Sequence, residues 1–135
     1  MKRIVTVVML LLGLSGLLPG AAAEIEIREQ QGVRYVTGGM TQEENEAMGK
    51  LAARFPMHMV FTAKGQEDPV QGVNVTVRDV SGTVLLEVKS EGPLLFVDVI
   101  GGRYTVDAEY QGETQSQTKD LTGRRYLRLR YDFNE

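Results

Sequence analysis

The chain reads as a mainly β protein: an antiparallel β-sandwich of about seven strands with one N-terminal amphipathic helix and a short hairpin. Three observations predict it. From Met57 onward apolar and polar residues alternate with the period of strands, glycine-bearing turns divide those runs at regular intervals, and one earlier segment carries the helical period instead. A length of 135 residues bounds the whole to one small domain.

The first element is a leader. Lys2 and Arg3 precede an almost wholly apolar run from Ile4 to Leu18, Pro19-Gly20 breaks it, and Ala21-Ala22-Ala23 supplies the small residues a signal peptidase reads. The run is shorter than the roughly 20 apolar residues of a spanning helix. Residues 1–23 are therefore expected to be a Sec-type signal peptide cut after Ala23, which sends the protein to the periplasm or the medium with no membrane span remaining. Cysteine is absent, so stability in an oxidising compartment must rest on packing alone.

Residues 24–55 form the next unit. Ile25, Ile27, Val33 and Tyr35 alternate with charged residues around Gln30-Gln31-Gly32, the pattern of a hairpin. After Gly38-Gly39, Thr41 stands three residues before Glu44, the spacing that caps a helix start. Ala47, Met48, Leu51, Ala52 and Phe55 then recur on one helical face until Pro56 stops it.

Residues 56–135 carry the sandwich. Met57, Met59 and Phe61 alternate with His58, Val60 and Thr62; further runs start near Val73, Val84, Leu94, Arg103 and Tyr126. Thr114 to Lys119 is polar on both faces, which predicts an edge strand at most. Gly65, Gly82, Gly92, Gly101-Gly102 and Gly112 mark the turns.

The stretch Val70-Gln71-Gly72-Val73-Asn74-Val75-Thr76-Val77, followed by Asp79-Val80-Ser81-Gly82, Gly92-Pro93 and Gly101-Gly102-Arg103-Tyr104-Thr105-Val106, resembles the carboxypeptidase regulatory-like domain. That resemblance covers roughly residues 57–131 and implies a transthyretin-like or prealbumin-like sandwich, also described as a carbohydrate-binding-like fold. It implies no peptidase chemistry, because in metallocarboxypeptidases this module is accessory to the zinc-binding domain.

Composition limits the function. A net charge of -3 argues against nucleic acid as the main partner. His58 is the only histidine, which excludes zinc sites built on several imidazoles, and no cysteine nucleophile exists. No serine lies in a G-x-S-x-G elbow. Met57-His58-Met59 invites a copper site, but strand alternation sends both methionines to one face and His58 to the other. Gln66-Glu67-Asp68 and Asp79 offer too few oxygens for calcium. The expectation is no enzyme, no catalytic residue, no metal and no cofactor.

What remains is an exported interaction or structural module. Its candidate surface is Leu85, Leu94 and Phe96, apolar residues on the outward side of their strands, with Tyr126, Arg128 and Arg130 on the last strand. The helix or hairpin covering the apolar three as a second layer is the competing structural expectation. The arginines, with Arg124 and Arg125, form a strip suited to an acidic partner, unless they pair with Asp107 and Glu109 across the sheet. An envelope protein is the first partner class. A glycan stacked on Tyr35 and Tyr126 is the alternative.

Overall fold

The computed structural model describes residues 25–134. The expected leader, residues 1–23, lies outside them. Ten strands form: β1 (Arg28–Gln30), β2 (Val33–Gly38), β3 (Met57–Ala63), β4 (Asp68–Pro69), β5 (Asn74–Arg78), β6 (Val84–Lys89), β7 (Leu94–Asp98), β8 (Arg103–Tyr110), β9 (Glu113–Asp120) and β10 (Leu127–Phe133). One sheet has the order β1-β2-β7-β3-β10 with β4 beside β3; the other runs β6-β5-β8-β9. Their inner faces enclose one core, in the manner of a β-sandwich.

Three features correct the expected count and arrangement. The hairpin is part of the sheet, since β2 pairs with β7 from Arg34↔Asp98 to Gly38↔Leu94. β9, at the edge of its sheet as expected, pairs with β8 along eight residues, and the two hairpin strands with the two-residue β4 raise about seven strands to ten. One pair is parallel, β10 with β3, because β10 enters from the second sheet at the end where β3 begins.

The helix α1 (Gln42–Leu51) follows β2 and so is not the first element of the fold. Thr41 caps it, its hydroxyl accepting from the Glu44 amide at 3.1 Å. The Glu44 carboxylate reaches back to the amides of Gly39 and Met40, so both ends of the entry turn are satisfied. The helix expected to continue until Pro56 tightens instead into a 3-10 turn over Ala52–Arg54.

Two apolar clusters result. The main core joins Met57, Met59, Phe61, Leu129, Tyr131 and Phe133 of the first sheet to Val75, Val77, Leu86 and Val106 of the second. The Tyr131 hydroxyl, fully buried, donates to the Val106 carbonyl at 2.7 Å and so ties the sheets together. The second cluster lies on the outer side of the first sheet, where Val36 and Phe96 meet Met48 and Phe55 beneath α1.

The seams between the sheets are closed by glutamines. At one corner the Gln30 side chain bonds both backbone groups of Glu87 on edge strand β6. At the other, Gln115 and Gln117 of β9 donate to the carbonyls of Asp132 and Arg130 on edge strand β10, each at 2.7 Å. Side-chain amides thus satisfy edge groups that would otherwise invite another strand.

Candidate interaction surface

The residues singled out in the sequence separate into three places. Leu85, an extra residue at the bulge between β5 and β6, is half-buried and packs on the main core. Phe96 is buried in the second cluster with Leu94 half-buried beside it, so α1 covers them as a second layer of core. Tyr126, Arg128 and Arg130 are exposed and lie together along β10 at the margin of the helix-covered face.

The geometry there follows from register. β10 sets Arg128 beside His58 and Arg130 beside Val60, while Leu127 and Leu129 turn inward with Met57 and Met59. His58 therefore faces away from the methionines, as alternation requires. It does not face water, being only 7% exposed: Phe55 and Ala52 lie over it, and its Nε2 is 3.0 Å from the Ala52 carbonyl oxygen. The imidazole packs on Phe96 at 4.3 Å between centroids and on Tyr126 at 5.4 Å, nearly parallel to the latter. Three rings thus lead from the second core to the surface. The outermost, Tyr126, is 56% exposed. Beside it Ala52, Ala53, Phe55, His58 and Arg125 line a mainly apolar cleft of about 260 Å³.

The strip of arginines does not form the expected pairs across the sheet. Asp107 and Glu109 lie on β8 of the other sheet, where Asp107 binds Arg78 and Ser116 and Glu109 accepts from Asn74 at 3.0 Å. The ion pairs among the described residues involve Arg28, Arg34, Lys64 and Arg78, and none reaches Arg125, Arg128 or Arg130. A tyrosine fixed against a buried imidazole, flanked by guanidinium groups that meet no carboxylate among the described residues, can grip a carboxylate-bearing apolar segment.

The remaining candidate positions are occupied by local structure. Asp68 pairs with Lys64. The Asp79 carboxylate accepts from the amides of Ser81 and Thr83 and from the Ser81 hydroxyl, which holds its carboxyl below the usual range. Among the described residues no three histidine, aspartate or glutamate side chains gather closely enough for a metal ion. Tyr35 is buried in the main core and apart from Tyr126. The sequence pattern missed the cleft, whose floor comes from the 3-10 turn and the residues just before β10; the one local signal for it was Tyr126, an aromatic ring on the outward side otherwise held by Arg128 and Arg130.

No family model matches the chain, and a search of curated proteins finds no match either. No helix among the described residues is long and apolar enough to cross a membrane.

Proposed function

We propose that the protein is a non-catalytic, exported adaptor that docks another envelope protein on the rim formed by Tyr126, Arg128 and Arg130. One observation carries this reading: Tyr126 is 56% exposed yet held by stacking on His58, beside arginines that have no carboxylate partner among the described residues. A pre-ordered aromatic ring costs little entropy to bury, and arginine with tyrosine dominates the energetics of many protein interfaces. The partner would bring an acidic stretch around an apolar side chain that fits the cleft over Ala52 and Ala53. The carboxypeptidase regulatory-like, transthyretin-like assignment belongs to the same proposal, as does export through a leader cut after Ala23.

The glycan alternative keeps Tyr126 as its stacking residue and has no second exposed tyrosine beside it. Cross-linking of the tagged protein in intact cells of its source, against an unrelated exported sandwich, tests the choice. A single enriched envelope protein, lost on Arg128→Glu with Arg130→Glu, is the expected result. Capture no different from the control, together with binding to cell-wall glycan, contradicts the adaptor.

A further inference from the structure

A different surface emerges at one end of the sandwich. β5 leaves at Arg78 beside Thr105, and Arg103 pairs in register with Asp120, so the connections 79–83, 99–102 and 121–126 all project from the same end. The Leu121 amide bonds the Gly102 carbonyl at 2.7 Å and joins two of them. Of the four large hydrophobic residues exposed among the described residues, Val80, Ile100 and Tyr126 sit here, and Val80 and Ile100 are the most exposed at 79% and 83%.

Each of these two aliphatic side chains crowns a turn braced by hydrogen bonds of its own. Around Val80, the Ser81 and Thr83 amides bond the Asp79 carboxylate and the Gly82 amide bonds the Asp79 carbonyl. The carbonyl of Ile100 itself accepts from the Tyr104 hydroxyl. Satisfied backbone is what lets a turn leave water without a large penalty.

The charge around the tips is mainly positive. Arg103, Lys119, Arg124 and Arg125 are exposed at this end and appear in no ion pair among the described residues. Asp79, Asp98 and Asp120 are the carboxylates at the ends of these connections, and Asp98 is paired with Arg34 at 3.0 Å. The Thr122 amide and hydroxyl, then the charges of Arg103 and Arg124, hold the Asp120 carboxyl below its usual range. A chain that is acidic overall thus presents a basic end with two separate aliphatic points. A folded partner would need a hole for each point; a bilayer interface accepts both, with arginines on headgroup phosphates.

We propose that this end of the sandwich docks on an anionic phospholipid surface, with Val80 and Ile100 entering the interface and Arg103 and Arg124 at the headgroups. This end adjoins the partner rim at Arg125 and Tyr126, while Val80, Ile100, Arg103 and Arg124, which carry the proposal, lie outside that rim.

The chain beginning at Glu24 contains every strand, the helix and both cores of the described residues, and omits the apolar run from Ile4 to Leu18 that would bind lipid by itself. Its co-sedimentation with phosphatidylcholine vesicles, with and without phosphatidylglycerol, is the test. Association with the anionic vesicles alone is expected, weakened about tenfold or more by Val80→Asp with Ile100→Asp and likewise by Arg103→Glu with Arg124→Glu, at unchanged melting temperature. Wild-type protein that stays in the supernatant overturns the proposal. So does equal binding by the aspartate variant, equal binding to neutral vesicles, or capture of an acidic protein by these loops without vesicle association.

Discussion

The side-chain amide of Gln30 stands where a neighbouring strand would stand beside Glu87: it donates to the Glu87 carbonyl at 3.1 Å and accepts from the Glu87 amide at 2.7 Å. β6 is the outer strand of its sheet, and this contact replaces at one residue the ladder that the strand lacks. Gln30→Glu keeps the length and the acceptor but removes the donor. The expected cost is about 1 kcal/mol, with more self-association at high concentration because the edge is freed. Denaturant melts and light scattering measure the two effects; an unchanged melt and an unchanged monomer would mean the contact closes nothing.

Gly92 crosses Gly38 with no room for a side chain. A methyl group there would run into the backbone of Gly38, including its Cα at 2.9 Å, and backbone cannot swing aside as a side chain can. Gly92→Ala is expected to lower stability by about 2 kcal/mol or more, read by chemical denaturation. Gly72 serves as the comparison, since nothing lies within 4 Å of a methyl group there; its positive φ alone makes Gly72→Ala the milder change.

Phe96 and Tyr126 sit at opposite ends of the same ring stack and should respond oppositely. Phe96 is 6% exposed within the second core, so Phe96→Ala is expected to cost about 3 kcal/mol. Tyr126→Ala should change stability by less than about 1 kcal/mol while removing partner capture. A destabilised Tyr126 variant, or a Phe96 variant as stable as the wild type, would reverse the assignment of core and surface.

Tyr131 sets the alkaline limit. Burial, and then the charge of Asp107, pushes its phenol far above the ordinary 10, and burial with Asp79 pushes Tyr104 up as well. The folded state therefore favours the neutral phenols. Their contribution is complete below about pH 10, where the unfolded chain also stays neutral, and is lost as pH rises above that value. Tyr131→Phe should cost about 1 kcal/mol near neutrality by deleting the bond to Val106 and should flatten the decline above pH 10. Melting temperature against pH checks both, and an undiminished decline would assign it to other groups.

The acid side follows from Asp107. Burial raises its carboxyl, yet the hydrogen bonds from Ser116 and Arg78 and the Arg78 charge outweigh burial and hold it below the usual range. The ionised form favours the fold, so stability present above about pH 4 is lost as pH falls further. Asp107→Asn should reduce stability at neutral pH and make the melting temperature less sensitive to acid than in the wild type.

Much of this architecture is legible in the sequence because period two survives wherever one strand face meets the main core, as in Val75 and Val77 or Leu127, Leu129 and Tyr131. It fails where the inner face meets a seam instead. Glu113, Gln115 and Gln117 point toward β10 and bond its backbone or stay at its margin, so β9 looks polar on both sides although it is eight residues long. The second core is half legible: the apolar face of the helix and a covering layer over Leu94 and Phe96 are among the readings the sequence offers, but His58 looks outward when its strand is read singly, and only α1 with its 3-10 turn covers it. The cleft beside Tyr126 depends on that cover, and no local pattern contains it.

The claim that the β10 rim is the partner surface is most directly tested by placing a photo-activated cross-linking residue at position 126 in cells of the source, with position 114 on the opposite sheet as reference. One discrete adduct from position 126, absent from 114 and lost when Arg128 and Arg130 are replaced by glutamate, is the predicted result. Adducts of equal yield from both positions, or from 114 alone, would contradict it.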